Sequence, residues 1–277
     1  MTKYIIKSDG KKEAYDEEKI KSSIIKAGSS PNMAAEAVRI INKKVKDNMS
    51  TNEIYNKALN RLRVLEPRVA LKYSLKRAIM DMGPEGFAFE KYIAKILREY
   101  GFNTEVGQFV SGYCVQHEVD VVAKREGKVY LIECKYHNSP GIKSDVKTAL
   151  YIHSRFLDIE KASREKDSNN HNHLEAWLVT NTKCTSDAIK YANCVGLKIM
   201  AWHYPEVENL EYFIETKKLY PISILSTINK KQKELLLDSG IILIKELESY
   251  GADDLTRLIH VNHWYASKIL NEVRILL

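Results

Sequence analysis

Cysteine is scarce in this chain, and the four present, Cys114, Cys134, Cys184 and Cys194, form no Cys-x-x-Cys pair. Neither a zinc ribbon nor a disulfide framework is therefore indicated. No run approaches the roughly 20 uncharged apolar residues that a membrane span needs, and the chain opens on a strand pattern instead of a signal peptide. A Gly-x-x-x-x-Gly-Lys-Ser/Thr loop is also absent, so ATP hydrolysis is not predicted. We expect a cytoplasmic protein without a membrane partner.

Excess positive charge is confined to one part of the sequence. Residues 1–85 hold 18 Lys and Arg against 11 Asp and Glu, whereas residues 86–220 hold 18 of each sign and residues 221–277 hold 7 of each. The net charge of +7 therefore belongs to the first 85 residues. A basic surface favours polyphosphates or nucleic acid as partners, although lysines also keep small helical domains soluble.

One short stretch carries most of the chemical information. Between His117 and His137, Asp120 precedes the triplet Glu133-Cys134-Lys135 by thirteen residues. Residues 118–123 and 129–135 have strand patterns, and residues 125–128 form a turn between them. Because side chains alternate along a strand, Glu133 and Lys135 share one face and Cys134 points to the other. Pairing of the strands would bring Asp120 close to Glu133.

Two carboxylates beside an ammonium group suit phosphodiester chemistry. Hard oxygen ligands hold Mg²⁺ while leaving positions for water, and the metal acidifies that water and neutralises charge on a phosphate. Lys135 could orient or deprotonate the attacking water, or stabilise negative charge on the phosphate. The same pattern also occurs by chance in exposed hairpins with ordinary surface charges.

Helical and apolar strand patterns alternate around this hairpin. The helical patterns lie at 86–97, 144–162 and 186–195, and the strand patterns at 175–180 and 197–202. In the first helix Phe89, Ile93 and Leu97 belong to the buried stripe, with Glu90 beside it, where it could face the site. Asp145 is a further candidate acid. This alternation indicates an α/β layer fold.

Residues 86 to about 206 resemble the restriction-endonuclease-like PD-(D/E)xK superfamily, specifically its Mrr-like branch. The matching positions are Glu90 in the helix, Asp120 in the strand, the Glu133-x-Lys135 pair and the Thr-rich segment 179–192. Val119 stands where the superfamily has its proline. The resemblance implies phosphodiester hydrolysis that depends on Mg²⁺ (or Mn²⁺), with Asp120 and Glu133 as metal ligands, Lys135 as the catalytic lysine and Glu90 as an accessory acid.

The first 85 residues carry a separate signal. Residues 4–16 read as two short strands around the turn Asp9-Gly10, followed by a helix with Asp16 as its N-cap. Helical patterns follow at 32–46, 50–62 and 67–82, and Ser50 to Glu53 resembles a capping box.

This block resembles the ATP-cone, the nucleotide-binding regulatory domain of ribonucleotide reductases. The motif positions are Ile5, Lys7, Ser8, Asp9, Gly10, Glu13, Asp16, Lys19 and Ile20, and Ser8 departs from the usual basic residue. The resemblance implies that Lys7 and Lys19 contact the phosphates of ATP or dATP. It places Glu13 and Asp16 near the base or ribose. Ile5, Thr51 and Tyr55 complete the implied pocket.

Residues 221–277 read as a third, helical unit that opens after Pro221. Its helical stripes lie at 230–239, 243–249, 252–259 and 264–276. The pattern looks like a helix-hairpin-helix domain, which grips a nucleic-acid backbone through main-chain amides. Residues 260–264 stand in place of the usual Gly-x-Gly hairpin, so a plain helical packing or dimerisation domain is an equal alternative.

The histidines and tryptophans are assigned ordinary roles. His117 and His137 flank the candidate site, where surface or supporting roles are expected more than metal ligation. His171 and His173 lie in a polar stretch. Trp177, Trp202 and Trp264 sit in apolar patterns, which predicts core packing.

We therefore predict an α/β multidomain protein with boundaries at 1–85, 86–220 and 221–277. The parts are a mainly helical ATP-cone with a small β-hairpin, a restriction-endonuclease-like sheet flanked by helices, and a small all-α domain. The predicted function is Mg²⁺-dependent DNA cleavage regulated by ATP or dATP. The alternatives are a nucleotide-responsive DNA-binding protein that does not cut, and a nuclease whose ATP-cone serves only assembly, as in a homo-oligomer.

Overall fold

The chain folds into two compact units, Met1–Ala78 and Ile79–Ile275. The computed structural model describes residues 3–7, 10–166 and 174–277. Ser8 and Asp9 of the predicted turn, and His171 and His173, lie outside the described residues. Helices and sheets occur in both units, which confirms the mixed α/β class. The division into three domains stays a prediction.

The first unit is mainly helical and carries one small sheet. Strand β1 (Tyr4–Ile6) pairs antiparallel with β2 (Lys12–Ala14) and parallel with β3 (Met49–Ser50). The helices are α1 (Glu17–Lys26), α2 (Pro31–Asn42), α3 (Thr51–Leu65) and α4 (Pro67–Met80). Their apolar stripes meet in one core, in which Ile24, Ile41 and Leu62 are at most 1% exposed.

Side-chain caps explain where two of these helices begin. The Asp16 carboxylate accepts the backbone N–H of Glu18 and so starts α1. At α3, the Ser50 hydroxyl accepts the Glu53 N–H while the Glu53 carboxylate accepts the Ser50 N–H. Each cap satisfies donors that the first helical turn leaves unpaired. The predicted hairpin, N-cap and capping box are confirmed.

A five-stranded sheet organises the second unit. The strands in chain order are β4 (Asn103–Ser111), β5 (Gln116–Arg125), β6 (Lys128–Lys135), β7 (Lys143–Ser144), β8 (Leu174–Thr180), β9 (Lys183–Cys184) and β10 (Lys198–Met200). The sheet order is β10-β8-β6-β5-β4, with β4, β5 and β6 antiparallel and β6, β8 and β10 parallel. Strands β7 and β9 form a separate short pair.

The turn between β5 and β6 is as short as the sequence predicts. Glu126 and Gly127 both have positive φ, 51° and 75°. Two successive left-handed residues match the two-residue turn that follows the twist of a hairpin. The turn therefore fixes the register in which Val121 lies opposite Ile132.

Helices cover both faces of this sheet. They are α5 (Phe87–Glu99), α6 (Val146–Lys166) and α7 (Ser186–Val195). Leu131 of β6 packs with Ile159 of α6. On the other face the ring of Tyr136, which follows β6, lies 5.6 Å from that of Phe89 on α5. The predicted buried stripe of α5 is confirmed, since its residues are at most 1% exposed.

The second unit ends in short helices. These are α8 (Leu210–Thr216), 3-10 turns at Ile222–Ile224 and Ile244–Ser249, α9 (Lys230–Asp238), α10 (Ala252–Ile259) and α11 (His263–Leu276). His260 ends α10 with a φ of 54°, and the Asn262 side chain caps α11 by accepting the Tyr265 N–H. Among the described residues, no helix is long and apolar enough to cross a membrane.

One tryptophan departs from its predicted place. Trp202 is 4% exposed, but Trp264 is 69% exposed, so the prediction of core packing for Trp264 is wrong. The buried stripe of α11 runs through Ala266, Ile269 and Val273. Trp264 is two residues before the start of that stripe, which at 100° per residue turns it away from the core.

Asp158 of α6 holds the turn between β4 and β5. Its carboxylate accepts the Cys114 N–H at 2.9 Å and lies 2.8 Å from Nε2 of His117. Gly112 sits directly beneath it: a Cβ on Gly112 would lie 2.0 Å from Oδ2 of Asp158 and 2.6 Å from the Val115 carbonyl oxygen. The packing of this turn therefore requires glycine.

We predict that Gly112→Ala destabilises the protein by about 1–3 kcal/mol, the usual cost of overpacking. The carboxylate cannot move away without losing the bonds that hold the turn. Gly83→Ala is the matched control, because its Cβ would meet no atom closer than 4.0 Å. Thermal unfolding of both variants measures the difference, and equal midpoints would contradict the packing argument.

Candidate active site

The candidate acids lie where the β5–β6 ladder stops. Residue pairing between the strands runs from Arg125 and Lys128 to Val121 and Ile132. One step further, Asp120 and Glu133 would face each other. There the Asp120 carboxylate accepts the Cys134 N–H at 2.7 Å. The two strands therefore end their pairing at the position where the carboxylates converge.

Glu133 is buried and bound to two cationic groups. It is 8% exposed. Its Oε1 lies 2.6 Å from Nζ of Lys135, and its Oε2 lies 2.5 Å from a guanidinium nitrogen of Arg155. A buried carboxylate needs such partners, because burial without them is costly. The structure thus brings Asp120, Glu133 and Lys135 together, as the sequence predicts.

Arg155 is the residue that sequence reasoning missed. It lies on α6, twenty-two residues after Glu133, and no local motif connects the two positions. The only available signal was a basic residue on a helix predicted to pack against the sheet. The Arg155 guanidinium carbon also lies 5.2 Å from the ring centre of the exposed Tyr151, which in turn is 5.9 Å from Nζ of Lys135.

Glu90 of α5 belongs to the same electrostatic cluster. Burial raises the pKa of Glu90 to about 7, and repulsion by Asp120, Glu118 and Glu133 adds to the effect. The pKa of Asp120 is raised to about 6, first by burial and then by the charge of Glu133. Crowded carboxylates with raised pKa values bind protons or cations readily.

A buried polar loop supports the end of β6. Thr180, Asn181 and Thr182 are at most 1% exposed. The Thr180 hydroxyl donates to the Lys135 carbonyl oxygen at 2.7 Å. Asn181 accepts the His137 N–H at 2.9 Å and donates to the His137 carbonyl oxygen at 2.8 Å. The loop fixes the backbone from which Lys135 projects.

Three further candidates have local roles. The backbone of His137 anchors the loop after β6, and His117 contacts Asp158. Asp145 accepts the Thr148 N–H at 3.1 Å and so caps the start of α6. This hydrogen bond lowers the pKa of Asp145.

The acids suit a hard divalent cation that keeps part of its water shell. In the part of the chain that the structure describes, no three His, Cys, Asp or Glu side chains are arranged to hold a metal together. Mg²⁺ is commonly bound through one or two carboxylates, with water and substrate phosphate completing its coordination. Asp120 and Glu133 fit that requirement, and burial together with the charge of Glu133 raises the pKa of Asp120.

The first unit contains a separate cavity of about 300 Å³. All seven residues predicted to bind nucleotide line it: Ile5, Lys7, Glu13, Asp16, Lys19, Thr51 and Tyr55. The Glu13 carboxylate forms ion pairs with both Lys19 and Lys7. These ammonium groups lower the pKa of Glu13 to about 2, Lys19 contributing most. The cavity therefore has two lysines held together at its rim.

An aromatic pair that was not predicted forms one wall of this cavity. The rings of Tyr55 and Tyr73 stack with their centres 5.1 Å apart and their planes 13° from parallel. The Arg77 guanidinium carbon lies 4.6 Å from the centre of the Tyr55 ring. Tyr73 lies on α4, outside the motif residues, so only the fold shows this contact.

Comparisons with known proteins find matches to three successive parts of the chain. Family models match at residues 3–82 for the ATP cone domain, 81–158 for the archaeal Holliday junction resolvase (hjc), and 220–277 for AF1548-like, C-terminal. An uncharacterized protein of Archaeoglobus fulgidus is 42% identical over 166 residues, which cover 60% of this chain and 89% of that protein. The chain thus joins an ATP-cone domain to a nuclease-type domain.

Two solved structures are also similar. AF1548, a protein of unknown function, is 38% identical in sequence, and its structure matches with a TM-score of 0.57. The match covers 69% of this chain and 97% of AF1548. A repair endonuclease from Pyrococcus abyssi is 16% identical, with a TM-score of 0.32, and covers 43% of this chain and 47% of that one.

We predict that the metal-free protein loses stability as the pH rises from about 4.5 to about 7. Over this range an unfolded chain releases the Glu90 proton, whereas the folded protein keeps it, because the pKa of Glu90 is raised to about 7. Glu90→Gln removes this titration. In EDTA, the melting temperature of Glu90→Gln relative to that of the wild type should therefore increase across this pH range. Above the range the difference should stay constant.

Glu165→Gln, on the exposed side of α6, is the control and should show no such gain. A constant difference between wild type and Glu90→Gln from pH 4.5 to 8 would contradict the raised pKa of Glu90.

Proposed function

The chain belongs to the AF1548-like family, and from this premise we propose that it is a Mg²⁺-dependent DNA endonuclease regulated by ATP or dATP. The similar Archaeoglobus fulgidus protein is uncharacterized and AF1548 is of unknown function, so the proposal rests on the residues. The convergence of Asp120, Glu133 and Lys135 at the end of the β5–β6 ladder carries it. Their pattern fits the PD-(D/E)xK superfamily and its Mrr-like branch.

Each residue has a proposed task in phosphodiester hydrolysis. Asp120 and Glu133 would hold Mg²⁺ or Mn²⁺. When bound, the cation supplies acidification of water and neutralisation of phosphate charge. Lys135, whose side chain is one-third exposed, would orient the attacking water or stabilise charge on the phosphate. Glu90, with a pKa near neutrality, is suited to holding a proton close by.

The match to archaeal Holliday junction resolvases guides the choice of substrate. It covers residues 81–158, which include α5, the β5–β6 hairpin and most of α6. All four proposed catalytic residues lie within it. Branched DNA therefore belongs beside plasmid and linear duplex DNA among the substrates to test.

We infer a regulatory role for the first unit from its cavity. ATP and dATP offer phosphates to Lys7 and Lys19, and a base to the wall that Tyr55 and Tyr73 form. The basic excess of residues 1–85 favours such an anionic ligand. The ligand would be sensed and not hydrolysed.

A DNA-binding protein that does not cut remains the second candidate. It is favoured by the full pairing of Glu133, whose two oxygens are both bound to cationic groups. Against it stands the convergence of two acids, since their charge would repel DNA without a cation.

We predict metal-dependent cleavage that Asp120→Ala abolishes and Lys135→Ala strongly slows. Wild type and variants are incubated with plasmid, linear duplex and a synthetic four-way junction, with Mg²⁺ or Mn²⁺. Loss of Lys135 should reduce the cleavage rate by about 100-fold or more, with DNA binding in Ca²⁺ largely retained. Asp120→Ala should also lose metal binding.

Lys128→Ala is the matched control, because Lys128 lies at the other end of β6 and pairs with Glu175. It should cut like the wild type. Binding to DNA without cleavage of any substrate would favour the second candidate, and loss of fold in Lys135→Ala would contradict its catalytic role.

We predict that ATP and dATP bind the full chain and that Lys7→Ala and Lys19→Ala each weaken binding by about tenfold. Lys21→Ala is the control, because Lys21 lies on the same helix as Lys19 and pairs with Glu18 instead. Calorimetry measures affinity. Cleavage rate, DNA affinity and light scattering are then compared with and without nucleotide.

A change of oligomeric state alone would make the first unit an assembly platform. If nucleotide binds but changes none of these three properties, the regulatory proposal is wrong.

A further inference from the structure

The two oxygens of Glu133 have different kinds of partner. Lys135, 2.6 Å from Oε1, lies on the same strand and has a side chain that is 34% exposed. Arg155, 2.5 Å from Oε2, comes from α6 and has a side chain that is 15% exposed. The Arg155 contact is therefore a buried bond between two separate elements of the fold.

This contact competes with metal binding at the same carboxylate. A divalent cation bound by Glu133 needs at least one of its oxygens, and each oxygen already accepts a bond from a cationic group. The guanidinium also brings a positive charge within a few ångströms of any such cation, where little water screens their repulsion. With Arg155 in place, the charges of Asp120 and Glu133 are balanced by those of Lys135 and Arg155.

The Tyr151 ring offers the Arg155 guanidinium a second contact. The Tyr151 ring, 55% exposed, lies beside both Arg155 and Lys135 and borders the site on the solvent side. A guanidinium that leaves Glu133 can stay against this ring while it turns towards solvent. Its planar set of donors suits a phosphate oxygen as well as a carboxylate.

We propose that Arg155 is a positioning residue that exchanges partners. In the metal-free protein it holds Glu133 and opposes cation binding. When a divalent cation occupies the site, Arg155 releases Glu133 and contacts a phosphate of the bound DNA strand. This inference rests on the proposed nuclease function, and it makes metal and DNA binding mutually supportive.

The test is Mn²⁺ binding to the full-length protein without nucleic acid, measured by calorimetry. Arg155→Gln should bind Mn²⁺ at least about fivefold more tightly than the wild type, a coupling at the low end of the usual range. Arg155→Lys keeps the charge and should stay close to the wild type. Asp120→Asn should lose the binding.

A matched control lies on the same helix. Arg164 pairs with Glu160 at 2.9 Å and is exposed, so Arg164→Gln removes an equal charge away from the site. It should leave Mn²⁺ affinity unchanged. Arg155→Met is a second neutral variant, since Ile152, Phe156 and Ile159 surround that position and accept an apolar side chain if glutamine impairs folding.

DNA binding supplies the second readout. In Ca²⁺, which supports binding without cleavage, Arg155→Gln should bind DNA more weakly and show a salt dependence shallower by about one phosphate contact. Arg155→Lys should restore most of this slope, whereas Arg164→Gln should not alter it.

The possible results separate this inference from the proposed function. If wild type binds Mn²⁺ through Asp120 but folded Arg155→Gln and Arg155→Met bind it equally or more weakly, the exchange is wrong and the nuclease proposal stands. An unchanged salt slope would overturn the phosphate contact. If wild type shows no Mn²⁺ binding that depends on Asp120, both proposals fail.

Discussion

The crowding of three carboxylates, one buried and two partly buried, is the constraint on which the candidate site of the second unit depends. Burial raises the pKa of both Glu90 and Asp120, and the charge of Glu133 adds to each of these shifts. In the folded protein Lys135 and Arg155 form ion pairs with Glu133, and the Cys134 backbone N–H donates a hydrogen bond to Asp120. These contacts lower the electrostatic cost of grouping the carboxylates, but the cluster still favours binding of further positive charge.

The scaffold around the cluster serves to place it. The β5–β6 ladder stops one residue pair before Asp120 and Glu133. Beyond that point the Asp120 carboxylate accepts the Cys134 backbone N–H. On the neighbouring strand, the buried Thr180–Thr182 loop holds the backbone of Lys135 and His137 by hydrogen bonds. Such fully satisfied polar contacts fix geometry more sharply than apolar packing does.

Much of the fold and of the candidate site could be predicted from the sequence because it depends on local chemistry. Turn residues, caps and apolar periodicity depend on neighbours in the chain, so the Glu126-Gly127 turn, the Ser50 cap and the stripe of α5 could be predicted. Arg155 could not, because its contact with Glu133 joins two elements through space. Strand β4 was also missed, since its exposed side chains weaken the alternation that marks a strand. Whether the candidate acids act in catalysis stays a prediction.

The two sites solve opposite problems in the same way. In the first unit one carboxylate, Glu13, holds two ammonium groups together, and in the second one carboxylate, Glu133, is held by an ammonium and a guanidinium group. An anionic nucleotide would compete for the cations of the first cluster, and a divalent cation would compete for the anion of the second. In each case the protein itself supplies the charge that its proposed ligand would replace. Ligand binding is then an exchange of ion pairs, which costs less than exposing a bare charge and leaves a displaced side chain available for a new contact.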